Sequence, residues 1–329
     1  TSILINTKDI QYYPLIISFS ELNFNPTFLE YYNDTKIIPV PLASLVTHSI
    51  FYKLFNIYSF IILEYIFHLL LIIILFNIIK KVFNSSNAAA LFCILIYILI
   101  LSLKVISTFV EPQIFYKLYD LLSENFGTRT PRPLVTGIFY FSFLYYIMFF
   151  EEKIKNKLDY NYILKITLLL GLLANSFIFL FIHSFIFLLI FSIKIIGTKL
   201  IEWMKFNYKK FFYFILLLVF FLLPTLFQNL YGENDFSARH GLISIGLEKK
   251  LFLIKYYLIN LLRFEFIILF LLTLVLNWYL NKKDIANINT NKINIFFLLA
   301  ISSILSPFIF FILSPQIISI FHFLNIMLF

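Results

Sequence analysis

The chain has few of the residues that build soluble catalytic domains. Cys93 is the only cysteine among 329 residues, which excludes an intrachain disulfide and a cysteine-cluster metal site. Charged residues make up 13% of the chain, whereas about a quarter is usual in soluble domains. Glycine totals 7, and no phosphate-binding glycine loop, His-x-x-x-His metal pair or nucleophile elbow occurs. The sequence therefore contains no motif typical of a nucleotide-binding, zinc-dependent or serine-hydrolase enzyme.

Long apolar runs take the place of those motifs. Hydrophobic residues make up 61% of the chain, and runs long enough to cross a bilayer recur along its whole length. This pattern predicts an all-α fold, a polytopic transmembrane helical bundle forming a single domain over residues 1–329. Cys93, inside one such run, is expected to be a packing residue. Besides the stretch 166–193, the predicted spans are 57–79, 89–110, 134–150, 211–227, 251–280 and 293–313.

The net charge of +9 does not indicate a nucleic-acid partner, because the lysines are concentrated in short segments between apolar runs. Lysine and arginine favour cytoplasmic loops of membrane proteins. The clusters are Lys80 and Lys81; Lys153, Lys155, Lys157 and Lys165; Lys194, Lys199, Lys205, Lys209 and Lys210; and Lys282, Lys283 and Lys292. With these on the cytoplasmic side, residues 1–56 form an extracytoplasmic loop, and residues 57–329 form transmembrane helices with short loops.

Residues 166–193 do not fit a single crossing. Basic segments flank both ends, so the chain must cross an even number of times between them. One continuous helix would be about 42 Å long, too long for one upright span and too short for two. We therefore expect two short helices that break near Asn175 and Ser176, or a hairpin that does not fully cross.

The ends of the sequence suggest a piece of a longer protein. The chain opens at Thr1 rather than Met and stops within the apolar run FHFLNIMLF, which is too short to span a bilayer. We expect one transmembrane helix before residue 1 and further sequence after residue 329. The predicted location is a plasma membrane, most simply the bacterial inner membrane, crossed several times.

The first loop carries an ordered motif. Asp9 is followed by Tyr12 and Tyr13, then by a stretch of about thirty residues and the segment PVPL, Pro39–Leu42. An apolar helix ending in Leu-Phe follows, and a further transmembrane helix begins Ser-Phe. This order resembles the GT-C superfamily of integral membrane glycosyltransferases, in particular polyprenyl- or dolichyl-phosphate-sugar-dependent protein mannosyltransferases and lipid A aminoarabinose transferases. The likeness covers about residues 9–80 at motif level.

The resemblance implies transfer of a sugar from a polyprenyl-phosphate donor to a lipid, glycan or protein acceptor on the extracytoplasmic face. Asp9 would be the catalytic acidic residue, Tyr12 and Tyr13 would contact substrate, and the PVPL segment would begin an amphipathic loop helix lying along the outer membrane surface over the active site. Asn56 stands where the family usually has glycine. Glu64 stands near a common arginine, and Asp9 lacks an acidic neighbour, which weakens the case for a metal. No cofactor is predicted, and a divalent metal is left open.

Transfer from a lipid phosphate requires a base near the acceptor hydroxyl and a cation to hold the departing phosphate. Partial desolvation at the membrane face would raise the pKa of Asp9 and make it a better base. Arginine binds phosphate oxygens bidentately. The candidate phosphate ligands are Arg129 and Arg132 in GTRTPRP, and Arg239 and His240 in NDFSARHG. Arg129 and Arg132 are equally compatible with lipid-headgroup contacts at a helix end.

Two other classes stay open. A multi-spanning transporter or flippase would place ionisable groups along a path inside the spans, as Glu64, His68 and Lys104 would. A polysaccharide polymerase or ligase of the cell envelope would also be multi-spanning, with its largest outer loop late in the chain. The large outer loop at residues 1–56 favours transfer over transport. His48 and His183 are predicted to be packing histidines with satisfied hydrogen bonds.

Overall fold

A computed structural model describes residues 12–23, 41–109, 134–156, 158–197, 200–231, 247–261, 271, 274–275 and 290–313. Within these ranges the chain forms helices and turns and no strand, which confirms the all-α prediction. The α-helices are α1 Tyr13–Ser20, α2 Leu42–Phe55, α3 Ser59–Phe83, α4 Ser86–Phe109, α5 Leu134–Ile147, α6 Phe150–Asn156, α7 Tyr160–Ser176, α8 Ile178–Ile196, α9 Leu200–Phe206, α10 Tyr208–Tyr231, α11 Leu247–Leu261 and α12 Thr290–Leu313.

Apolar helices fill most of the predicted spans. The runs expected at 57–79, 89–110, 134–150, 211–227 and 293–313 correspond to α3, α4, α5, α10 and α12. The run 251–280 begins as α11, and most of its second half lies outside the described residues. The sequence located these helices because each long apolar run is followed by a charged or polar residue: Lys80, Glu111, Glu151, Gln228 and Ser314.

Four stretches of the described residues are helical, long and apolar enough to cross a membrane: Leu42–Leu63, Tyr65–Phe83, Ile178–Ile196 and Tyr208–Phe227. The first stretch is interrupted, since α2 ends at Phe55 and a 3-10 turn, Asn56–Tyr58, precedes α3. Shorter apolar helices lie at Ser86–Ile96, Leu134–Ile147 and Phe297–Phe308. These helices indicate an integral membrane protein.

The stretch 166–193 breaks where expected. α7 ends at Ser176, and the extended backbone of Phe177 (φ −154°, ψ 96°) separates it from α8. The helices are longer than predicted, because α7 begins already at Tyr160 and α8 continues to Ile196. At 1.5 Å per residue, α8 is about 28 Å long, close to the thickness of a hydrocarbon core.

α8 returns to the end of the bundle where α7 began. Phe150, next to the start of α7, lies with its ring 5.9 Å from that of Phe191 late in α8 and 6.4 Å from that of Tyr162 early in α7. The Tyr162 hydroxyl also donates to the Tyr146 carbonyl over 2.7 Å. α7 and α8 therefore run antiparallel, and the basic segments that flank them lie at one end, as an even number of crossings requires.

That end of the bundle is called the lysine end. Lys81, in the last turn of α3, lies with its ammonium 2.9 Å from the centre of the Phe149 ring, and Lys153 binds Asp159 over 3.0 Å. α10 also starts here, since Tyr160 and Tyr213 pack edge to face at 5.2 Å. The lysines that lie at the lysine end are Lys80, Lys81, Lys153, Lys165, Lys194, Lys205, Lys209 and Lys210.

The core lies where α5, α7 and α8 meet. Phe143, Leu170, Leu173 and Phe187 are fully buried there. Cys93 is buried in the same cluster, as its apolar neighbours predicted. By contrast, α10 exposes most of its apolar side chains, which is expected of a helix facing lipid.

Candidate functional site

The motif segment of the first loop begins with a helical pair, α1 and α2. The aromatic ring of Tyr13 packs edge to face on Phe60 of α3 with centroids 4.6 Å apart, and Tyr12 packs on the cluster of Leu15, Ile16, Phe19 and Leu45. Ser49 of α2 donates to the Ile16 carbonyl over 2.9 Å. Tyr12 and Tyr13 thus lie at the first turn of a helix that α2 holds in place.

Helix α2 begins at the last residue of the proline motif and ends as the sequence predicts. Pro41 precedes its first residue, Leu42, and its last two residues are Leu54 and Phe55. Proline is tolerated at this N-cap position because the cap contributes its carbonyl, which accepts from the Leu45 N–H over 3.0 Å, and needs no backbone N–H of its own. After the turn, α3 begins with Ser59 and Phe60.

A cluster of three hydroxyls joins α2 to the bundle. The Ser44 hydroxyl donates to the Ser176 hydroxyl over 2.9 Å, and the Ser44 and Thr136 oxygens are 3.5 Å apart. All three side chains are buried. They come from the start of α2, the start of α5 and the end of α7, so they mark the end of the bundle opposite the lysine end, here called the hydroxyl end.

Helix geometry places α2 over the far ends of α5 and α7. α3 and α5 pack together and both finish at the lysine end, where Lys81 meets Phe149. Going back about 20 Å along each helix from this contact reaches Thr136 on α5 and Phe67 on α3. The imidazole ring of His48 on α2 packs against the Phe67 ring, with the two centroids 5.6 Å apart. α2 therefore crosses at the level where α5 begins, and the first turns of α3 extend beyond it.

The two faces of α2 are reversed from those of a helix in a soluble protein. Its buried residues are Ser44, Leu45, His48 and Ser49, three of which are polar. Its exposed face carries Ile50, Leu54 and Phe55 beside Lys53. A polar interior and an apolar exterior suit a helix that contacts lipid on the outside and polar groups within.

His48 corrects one prediction. We expected a packing histidine with satisfied hydrogen bonds, but its Nδ1 atom is buried and has no hydrogen-bond partner among the described residues. The ring edge instead faces Phe67. A buried imidazole nitrogen of this kind is costly unless a partner binds it. His48 thus adds an unsatisfied polar group to the inner face of α2.

The turn between α2 and α3 has an unusual backbone. Asn56 adopts φ 50° and ψ −140°, a positive-φ conformation that glycine adopts freely and other residues rarely adopt. Asparagine tolerates positive φ better than most residues. The position where this chain departs from the usual glycine of the GT-C pattern therefore has a backbone that favours glycine.

A second polar centre lies in the middle of the bundle. The Nδ1 atom of His183 is 3.4 Å from the Tyr140 hydroxyl, and its Nε2 atom is 2.8 Å from the Ser302 hydroxyl and 3.2 Å from the Leu299 carbonyl. The prediction that His183 has satisfied hydrogen bonds is confirmed. Partners on α5 and α12 make it an interhelical contact rather than an open binding group.

Most predicted site residues cannot be placed. Glu64 lies within α3 and Lys104 within α4, but their side chains fall outside the description, and His68 on α3 is partly buried. The other positions lie outside the described residues altogether: Asp9, Arg129, Arg132, Arg239 and His240. Of the residues predicted to act in sugar transfer, Tyr12 and Tyr13 are accordingly the two that lie within the described part of the chain.

The serines and threonine of the hydroxyl end were not singled out from the sequence. Ser44, Thr136 and Ser176 are far apart in the chain, and a hydroxyl in an apolar helix commonly bonds its own backbone. The one usable signal was the polar pair Asn175–Ser176 inside an apolar run. Among the described residues, no group of three histidine, cysteine, aspartate or glutamate side chains is placed to hold a metal ion.

At the lysine end, Asp159 caps α7. Its carboxylate accepts from the Tyr162 N–H over 2.5 Å and from the Lys153 ammonium over 3.0 Å. The Tyr162 N–H first, and then Lys153, hold the pKa of Asp159 below its usual range. This cap and ion pair fix the turn between α6 and α7.

Comparison with known proteins does not extend these observations. No protein-family model matches the chain, and no curated protein and no solved structure is detectably similar to it.

Proposed function

We propose that the protein is a multi-pass membrane glycosyltransferase of the GT-C type, which moves a sugar from a polyprenyl-phosphate donor to a lipid, glycan or protein acceptor on the extracytoplasmic face. The catalytic base is Asp9. Substrate contacts come from Tyr12 and Tyr13, and the lipid phosphate is bound by arginines of the later loops, Arg129 and Arg132 or Arg239, with His240.

One observation carries the proposal. The segment that matches the motif forms a helix with the expected ends, Leu42–Phe55, and Asn56 at the glycine position of the motif has φ 50° and ψ −140°. A chance resemblance in sequence would not require a backbone that favours glycine at that residue. The local conformation therefore supports the match independently of side-chain identity.

The position of α2 is a second support. It lies at the end of the bundle opposite the lysines, joined to α5 and α7 through Ser44. Since lysines favour the cytoplasmic side, α2 belongs to the extracytoplasmic side, where lipid-linked sugars of this kind are used by the family that the motif resembles. Tyr12 and Tyr13 sit on the same unit, three and four residues after Asp9.

The transporter alternative receives less support from the polar groups inside the bundle. His183, which lies near its middle, has both ring nitrogens within hydrogen-bonding distance of neighbouring helices. Such pairing is expected of groups that hold helices together. A transport path would need groups free to bind and release an ion or substrate.

The test is sugar transfer in membranes that contain the protein, supplied with radiolabelled polyprenyl-phosphate sugars. Asp9→Asn should abolish transfer at unchanged protein level, because the amide cannot accept the acceptor proton. Glu21→Gln is the matched control, since Glu21 is a loop acid that follows α1 and has no role in the proposal; it should retain transfer. Activity retained by Asp9→Asn would remove Asp9 from the mechanism, and no transfer by the unsubstituted protein with any sugar donor would overturn the proposal.

A further inference from the structure

A short bent segment at the lysine end combines positive charge with exposed apolar side chains. We call it the basic elbow: Lys194 at the end of α8, helix α9, Asn207, and the first residues of α10 through Phe212. Gly197, with φ 63°, follows the last residue of α8, and Asn207 separates α9 from α10. The elbow lies outside the site proposed for sugar transfer, at the opposite end of the bundle.

The bend at Asn207 is held by hydrogen bonds within the elbow. The Asn207 backbone N–H and side-chain amide both donate to the Trp203 carbonyl, over 2.9 Å and 3.2 Å. The Lys210 ammonium donates to the Asn207 side-chain oxygen over 3.3 Å. α9 also packs against α8 and α10, so the elbow is a fixed part of the fold.

The outer side of the elbow is suited to a bilayer surface. Phe206 is 89% exposed and Ile201 is 69% exposed, although apolar side chains of this size gain free energy when removed from water. The neighbouring Lys205 and Lys209 are exposed as well, and Tyr208 is an aromatic residue of the kind enriched at membrane interfaces. Glu202 is the one acidic residue between Lys194 and Lys210.

We infer that the basic elbow binds the headgroups of anionic phospholipids in the leaflet at the lysine end. Lysines close to an anionic surface are attracted to it, and the exposed Phe206 and Ile201 would insert beside the headgroups, where short amphipathic segments lie. The occupant is the bilayer itself rather than a soluble anion, because a soluble anion would leave the two apolar side chains in water.

Trp203 provides a reporter within the elbow. The chain contains 2 tryptophans, so Trp278→Phe leaves Trp203 as the single fluorophore. The protein is reconstituted into vesicles of phosphatidylcholine and phosphatidylglycerol at fixed mole fractions, with one or the other lipid brominated in its acyl chains. Quenching of Trp203 then reports which headgroup lies beside the elbow.

We expect brominated phosphatidylglycerol to quench more strongly than brominated phosphatidylcholine. The ratio of the binding constants of the two lipids should rise by a factor of about five for each lysine that contacts a headgroup. The double variant Lys205→Gln/Lys209→Gln should lower this ratio severalfold, with Lys194 and Lys210 left in place, whereas Lys205→Arg/Lys209→Arg should retain it. Lys53→Gln on α2 is the control for loss of one positive charge elsewhere, and the ratio should not change.

Equal quenching by the two lipids in the unsubstituted elbow, or a preference that is undiminished in the glutamine double variant, would overturn the inference. Absence of quenching by either lipid would also overturn it, since the elbow would then lie away from the bilayer. If the glutamine variant fails to reconstitute, the same quenching measurement on the protein with its natural lysines, repeated at increasing salt concentration, tests the inference. The phosphatidylglycerol preference must fall as the ionic strength rises, because screening weakens exposed charge pairs, and a preference independent of salt would contradict the inference.

Discussion

Gly171 on α7 and Phe221 on α10 lie so close that a side chain on Gly171 has no room: a Cβ atom added there would be 2.3 Å from the Phe221 Cβ. The same crossing is joined by Asn175, whose amide donates to the Gly171 and Phe221 carbonyls over 2.7 Å each. Its side-chain oxygen accepts from the Thr225 hydroxyl over 3.0 Å. Small residues and polar side chains are the usual means of holding helices together in membranes.

Gly171→Ala should therefore destabilise the protein. The clash involves two Cβ atoms, so rotating a side chain cannot relieve it and α10 must move away from α7. We expect a loss of about 1–3 kcal/mol, the usual cost of overpacking, measured as a lower melting temperature in detergent. Leu168→Ala, on the exposed side of the same helix, is the control and should have a much smaller effect. An unchanged melting temperature for Gly171→Ala would show that the two helices are further apart.

The cap at Asp159 predicts that the thermal stability of the protein depends on pH. Because the pKa of this carboxyl is lowered in the folded protein, its contribution is present above the unfolded pKa and is lost as the pH falls through the folded pKa. Thermal stability should therefore decline in acid, and Asp159→Asn should show a smaller decline, since asparagine can still cap the helix but does not titrate. Melting temperatures between pH 7 and pH 3 measure the difference.

The effect at Asp159 is expected to be modest, because the side chain is 46% exposed and its pair with Lys153 is open to solvent. Removal of the cap by Asp159→Ala should cost about 0.5–2 kcal/mol at neutral pH. Glu202→Gln, an exposed acid of α9, is the control and should retain the acid-dependent loss of the natural protein. If Asp159→Asn and the natural protein decline in parallel, the carboxylate does not contribute through its charge.

His183 on α8 should stabilise the contacts of that helix with α5 and α12. His183→Leu removes hydrogen bonds to Tyr140, Ser302 and the Leu299 carbonyl and leaves the serine and tyrosine hydroxyls buried. Hydrogen bonds between membrane helices are individually worth about 0.6 kcal/mol and at most about 1.7 kcal/mol, so we expect a total loss of about 1–2 kcal/mol. A double-mutant cycle with Ser302→Ala should give a coupling energy within that range.

Ser192 offers a control for the same measurement, because its hydroxyl donates over 2.7 Å to Leu188 of its own helix. Ser192→Ala should be nearly neutral and should not couple to His183→Leu. Additivity between His183→Leu and Ser302→Ala would mean that the 2.8 Å contact does not stabilise the bundle.

The sequence predicted helices better than it predicted their contacts. The ends of α2 were predicted from the motif, in which Pro41 precedes the helix and Leu54 and Phe55 end it. The break after Ser176 was predicted from the length of the stretch 166–193 and its polar pair Asn175–Ser176. The link from Ser44 to Thr136 and Ser176 was not foreseen, since it joins positions 92 and 132 residues apart. His48 and His183 were expected to be alike, yet both ring nitrogens of His183 have partners, whereas the Nδ1 atom of His48 has none among the described residues. Periodicity records which face of a helix is apolar, and it contains no information on which helix lies opposite.

Asn56 gives the prediction most directly tied to the motif. A non-glycine residue at φ 50° and ψ −140° carries backbone strain of about 1–3 kcal/mol. Asn56→Gly should therefore stabilise the protein, by about 1 kcal/mol after allowance for the greater freedom of glycine in the unfolded chain. Asn56→Ala should destabilise it, because alanine has neither the freedom of glycine nor the tolerance of asparagine. Thermal unfolding in detergent measures both.

Asn84, which ends α3, is a matched control for Asn56. It also has positive φ, but at φ 51° and ψ 25° it lies in the left-handed helical region, where asparagine is well tolerated. Asn84→Gly should consequently stabilise the protein less than Asn56→Gly. If the two glycine variants gain equally, or if Asn56→Gly destabilises the protein, then the turn after α2 does not require a glycine-like backbone, and the structural support for the GT-C resemblance at this position is lost.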